Sequence, residues 1–172
     1  MRSETIEAMG SGGLRLRVEF VWRHDRYAHV ISIVEANGAV QPLLESIEGT
    51  PAEDWPASPP LQSLSVETLT DGRRVALLVG MAGGSHWSAS IEAVLDKPEL
   101  VFDLACRHSV PPTWLGSRYR RLSDVAKRLT IHGDGGTVVQ EIEAVKIQPT
   151  GMTTSGGTTR WKLIVRLECT AY

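Results

Sequence analysis

The sequence predicts an all-β fold: an antiparallel β-sandwich or flattened barrel of about ten strands, with at most one or two short helices. Three observations carry that prediction. Polar and apolar residues alternate with period two over many short stretches, as on strands that turn one face to a core. The dipeptides Asn37-Gly38 and Asp71-Gly72 join neighbouring stretches in the manner of antiparallel hairpins. Only residues 118–128 repeat their apolar side chains at three and four, the spacing of a helix. If that segment and part of residues 4–9 are both helical, the alternative is an α+β fold.

Residues 1–13 end in Gly10, Ser11, Gly12 and Gly13 and read as a flexible leader. Residues 14–172 read as a single β-rich domain, since no linker interrupts them. Leu14, Leu16, Val18, Phe20 and Trp22 fall on one side of the first expected strand, residues 14–22. Residues 27–35 are apolar on both faces, as a central strand would be. Pro42 marks residues 40–47 as an edge or a bulged strand. Residues 48–60 carry too many prolines for regular structure and form a long loop around Trp55. Two strands follow over residues 61–69 and 73–79, then residues 85–95 and 100–107. A second Pro-rich loop, residues 108–117, holds Trp114. Residues 129–132, 137–147 and 160–172 complete the set. The last is long, free of proline and glycine, and apolar enough to need an interior place or a partner. The expected core anchors are Leu14, Leu16, Val18, Phe20, Trp87, Ile91, Phe102, Leu104, Ile164 and Leu167.

Composition narrows the function classes. The chain has 172 residues and a formal net charge of -2, which argues against a general nucleic-acid binder that works by neutralising phosphates. No apolar run approaches the ~18 residues of a spanning helix, and residues 1–13 lack the apolar segment of a secretory signal. These features predict a soluble, cytoplasmic protein with no membrane association. Cys106 and Cys169 then read as buried thiols rather than as a disulfide.

The segment around residues 80–92 holds the best candidate site. Three glycines, Gly80, Gly83 and Gly84, turn the chain into a strand with two unlike faces. Trp87, Ala89, Ile91 and Ala93 point one way, while His86, Ser88, Ser90 and Glu92 point the other. His86 and Glu92 are about 20 Å apart along such a strand, so each needs partners from neighbouring strands. The chain lacks the short His or Cys spacings of a zinc site, and no Gly-x-Ser-x-Gly elbow surrounds the adjacent Ser85 and His86. No metal and no cofactor is expected. A faint echo between residues 17–36 and 74–93 would make His29 and His86 equivalent positions.

Charge is segregated along the chain. Between Arg26 and Arg73 there is no Lys or Arg, whereas Arg107, Arg118, Arg120, Arg121, Lys127 and Arg128 cluster later. Such polarity suits an anionic ligand at Arg118, Arg120 and Arg121, or a homodimer in which acidic and basic surfaces meet. Trp55 and Trp114 could line a ligand groove or cap the ends of the sandwich. The sequence therefore favours a non-catalytic binding or assembly module for an unidentified ligand or protein partner, with His86, Ser88, Glu92, Trp55, Trp114 and the three arginines as ligand-binding candidates. A hydrolytic or metal-assisted enzyme using His86 and residues of neighbouring strands is the alternative.

Overall fold

The computed structural model describes residues 3–152 and 155–168. Among these, thirteen strands form: β1 Glu4–Met9, β2 Arg15–Arg23, β3 Arg26–Val34, β4 Val40–Ser46, β5 Ser63–Thr68, β6 Arg74–Ala82, β7 Ser85–Ala93, β8 Glu99–His108, β9 Ser117–Arg121, β10 Leu129–Asp134, β11 Gly136–Gln140, β12 Ala144–Pro149 and β13 Gly157–Leu167. A seven-stranded sheet has the order β1-β2-β3-β4-β9-β12-β11, and a six-stranded sheet the order β10-β13-β8-β7-β6-β5. All pairings are antiparallel. The inward faces of both sheets build one apolar cluster, so the molecule is the β-sandwich its alternating pattern predicts.

The count exceeds ten because three segments pair that composition had disguised. Residues 4–9, expected as part of a flexible leader, form β1 against β2, with Ile6 opposite Val18 and Ala8 opposite Leu16. Ile6 and Ala8 are each only 1% exposed, and Arg17 donates to Glu7 at 2.6 Å on the outer side. Burial of alternate residues outweighs the glycines that follow them. Residues 118–128 are not a helix. Their first part lies in β9, where Tyr119 is buried against the core, and only Asp124–Arg128 coils, as a 3-10 turn capped by the Ser123 hydroxyl. The stretch 137–147 divides into β11 and β12.

Pro42 sits in an interior strand, and the ladder accommodates it by a bulge. The register with β3 slips between Ile31 and Ser32, so that Ile31 pairs with Leu44 and Ser32 with Pro42. The last strand is also interior, between β10 and β8. It ends at Leu167; Glu168 is outside the strand, and the rest of the expected continuation, residues 169–172, lies outside the described residues. Its inward side chains are Trp161, Leu163, Val165 and Leu167. Ile164, expected in the core, lies on the opposite face. Leu14 is partly buried against the cluster, and the other expected anchors are in it.

Tryptophans close one end of the sandwich. Trp87 meets Trp161 edge to face at 6.3 Å, and Trp55 packs at 6.5 Å from Trp87 and 6.0 Å from His108. Trp114 donates its indole N–H to the Ala57 carbonyl at 3.2 Å, tying the two Pro-rich loops together. No helix among the described residues is long and apolar enough to cross a membrane.

Candidate functional site

The six-stranded sheet positions the candidate site on its outer face. Trp87, at 2% exposure, turns into the core, which leaves His86 and Ser88 exposed on the other side of β7. Antiparallel register then supplies their neighbours. Met81, His86, Arg107 and Thr158 form one row across β6, β7, β8 and β13. Ser63, Val79, Ser88, Ala105 and Arg160 form the next. Adjacent members of such a row are about 5 Å apart.

Two depressions meet at His86 and Arg107. The first, about 520 Å³, is lined by Gln62, Ser63, Val79, Met81, His86, Ser88, Ala105 and Arg107. Its wall is apolar: Val79 and Met81 project outward from β6 at 55 and 50% exposure, and Leu77, at 44%, continues the row beyond the depression. Its floor is formed by Ser88 and Ala105, whose small side chains leave the space between the larger neighbours open. The second depression, about 480 Å³, is polar and lies among Gly84, His86, Arg107, Ser109, Gly157 and Thr158.

The Pro-rich loop holds the β6 side of this face in place. Gln62 accepts from the Met81 N–H at 3.0 Å and donates to its carbonyl at 3.2 Å, so an amide side chain extends the ladder beyond β5. Gly80, the residue before Met81, has no room for a side chain: a Cβ there would stand 1.8 Å from the Pro60 carbonyl oxygen.

The structure separates the remaining sequence candidates from His86. Glu92 lies at the far end of β7 and pairs with Arg73 at 3.1 Å. Trp55 and Trp114 are engaged in closing the sandwich end and line neither depression. Arg118, Arg120 and Arg121 belong to β9 in the other sheet. Arg120 donates to Glu45 at 2.5 Å and Arg121 to Gln140 at 2.7 Å, while Arg118 is 4.0 Å from Glu141. His29 and His86 are not equivalent, because His29 is only 2% exposed, between the sheets, and His86 faces solvent.

Sequence reasoning missed Arg107 and the β6 wall. The wall had a signal: residues 75–79 are apolar at every position, more than one inward face requires. Arg107 had none, because its place beside His86 is set by the β7–β8 register.

A second polar cluster lies inside the seven-stranded sheet. The Ser46 hydroxyl accepts from the His29 backbone N–H at 2.7 Å and donates to Glu48 at 2.6 Å. Burial pushes the Glu48 carboxyl up to about 7, although the Ser46 hydrogen bond and the Arg26 charge pull the other way. Burial also holds the His29 imidazole down to about 4. Among the described residues, no group of three or more His, Cys, Asp or Glu side chains stands close enough to hold a metal ion.

No known family model matches the chain, and no curated protein is similar to it in sequence.

Proposed function

We propose that this chain is a non-catalytic binding module, working in the cytoplasm, whose binding face is the outer surface of the six-stranded sheet around His86 and Ser88. The observation that carries the reading is the β6 wall. Leu77, Val79 and Met81 are consecutive outward positions of one strand, all large, apolar and about half exposed. Isolated exposed apolar residues are ordinary, but a contiguous set beside a depression marks a surface that gains by being covered. The alternative of hydrolysis by His86 has less support, since its cross-strand neighbours are Met81 and Arg107 rather than a carboxylate or a nucleophile.

Titration with 1-anilinonaphthalene-8-sulfonate, followed by its fluorescence, tests the face. Wild-type protein should enhance and blue-shift the emission, and the double substitution Val79→Ser, Met81→Ser should weaken the dye's affinity about tenfold. The thermal midpoint should hold within a few degrees, because exposed positions carry about 0.5 kcal/mol or less. Dye binding unaffected by the double substitution would place the binding surface elsewhere.

Assembly has its own supporting feature. Among the described residues, β5 is the last strand of its sheet, with one edge unpaired and no proline, glycine or lysine within it. Such an edge is open to a strand of a second copy.

A further inference from the structure

We infer that the ligand of this face is a single-chain carboxylate, with its carboxyl group on Arg107 and its alkyl chain along Met81 and Val79. The inference rests on the binding face proposed above and adds the ligand's chemistry.

Charge pairing on the six-stranded sheet singles out Arg107. Arg74 pairs with Glu4, Arg160 and Lys162 share Asp103, and Arg166 pairs with Glu99. Among the described residues, Arg107 is the one guanidinium or ammonium group on the strands of this sheet without a carboxylate partner. The nearest carboxylate along its own strand face, Asp103, is already bound through both oxygens by Arg160 at 2.7 Å. A planar guanidinium left in this state matches a carboxylate, which it can bind through two parallel N–H donors.

The surroundings of Arg107 set the rest of the ligand. His86 stands opposite it on β7 and Thr158 opposite it on β13, so a ring N–H and a hydroxyl flank the anion's place. Gly84 and Gly157 leave the polar depression open beside them. On the other side, the floor of Ser88 and Ala105 leads to the wall of Met81 and Val79. Arg107 and Met81 stand two strands apart, on the order of 10 Å, the reach of a medium-length alkyl chain. A bare anion would leave this wall uncovered, and a neutral apolar molecule would leave Arg107 unpaired. A depression of about 520 Å³ also falls in the range of small-molecule sites, roughly 300–1,000 Å³.

Calorimetric titration with octanoate, 1-octanol and acetate, each below its self-association limit, tests the inference. Octanoate should bind wild-type protein at least tenfold more tightly than 1-octanol, and acetate should not bind measurably. Arg107→Gln should bring octanoate within twofold of 1-octanol and leave 1-octanol unchanged. Equal binding of octanoate and 1-octanol to wild-type protein, or a preference that survives Arg107→Gln, would overturn the carboxylate assignment. Acetate binding as well as octanoate would overturn the role of the alkyl chain. If octanoate fails to bind while the naphthalene dye still depends on Val79 and Met81, the ligand class is wrong and the face stands. If the dye is also indifferent to those residues, the face falls with it.

Discussion

His29 and Glu48 titrate in opposite senses, and their effects on stability meet in the same pH range. The His29 ring is packed at 5.5 Å from Phe20 and 6.1 Å from Phe102, and neither ring nitrogen has a hydrogen-bond partner. Burial lowers its pKa from 6.5 to about 4. Between those values the unfolded chain binds more protons than the folded one, so stability contributed by neutral His29 is lost as pH falls from 6.5 toward 4. Glu48 is raised from 4.5 to about 7. Here the folded chain binds more protons, and stability is lost as pH rises from 4.5 toward 7. Each effect amounts to about 3 kcal/mol at full extent. The two slopes oppose each other from 4.5 to 6.5, so wild-type stability in urea should be nearly flat there. Glu48→Gln should leave only the His29 slope, with the urea midpoint climbing across that interval. An unchanged profile would show that Glu48 titrates normally. Cys106 offers a second check at this scale. Burial pushes its thiol up to about 12, so in a Cys169→Ser background it should react with a disulfide reagent only as fast as the protein unfolds.

At the scale of elements, alternation in sequence predicted which strands exist and which face of most of them turns inward. It failed where a strand is apolar on both faces. In β13, Ile164 alternates with Trp161, Leu163, Val165 and Leu167 by one position, and it is the outward member. It also failed where composition overrode pattern, as in β1, whose Ile6 and Ala8 alternate correctly but precede a glycine-rich turn. Ile6→Asp should therefore destabilise the protein by several kcal/mol in chemical denaturation, because it buries a charge in the core; a loss below about 1 kcal/mol would mean that β1 detaches freely. Gly80 tests the seat of β6 on the Pro-rich loop. With the Pro60 carbonyl oxygen at 1.8 Å from a would-be Cβ, Gly80→Ala should cost about 1–3 kcal/mol. Gly72, at the exposed β5–β6 turn, has nothing within 4 Å of a would-be Cβ but a φ of +84°, so alanine there should cost about 1 kcal/mol through backbone strain alone.

For the whole molecule, folding interleaves the charges that the sequence keeps apart. Glu45, from the acidic interval, is held by Arg23 at 2.7 Å and Arg120 at 2.5 Å, and Glu141 lies between Arg118 and Lys146. Segregated segments thus pair within one chain, and charge between copies is not needed to satisfy them. If two copies associate through the unpaired edge of β5, backbone hydrogen bonds would hold them. Sedimentation equilibrium should then show a dimer that persists between about 0.05 and 0.5 M salt, a range that screens exposed ion pairs. It should be lost on Val66→Pro, which removes an N–H and distorts the edge. A monomer mass at all concentrations would remove assembly and leave ligand binding alone.

By itself the sequence determined the sandwich, its hairpins, the inward turn of Trp87 and the outward turn of His86. These follow from the two-residue period of a strand and the cost of exposing large apolar groups, both local matters. Only the tertiary structure decided that Met81 and Arg107 flank His86, that Arg120 pairs with Glu45, and that His29 and His86 live in unlike surroundings. Register across strands is a non-local quantity. It is set by turns, bulges and packing that no single stretch of sequence contains.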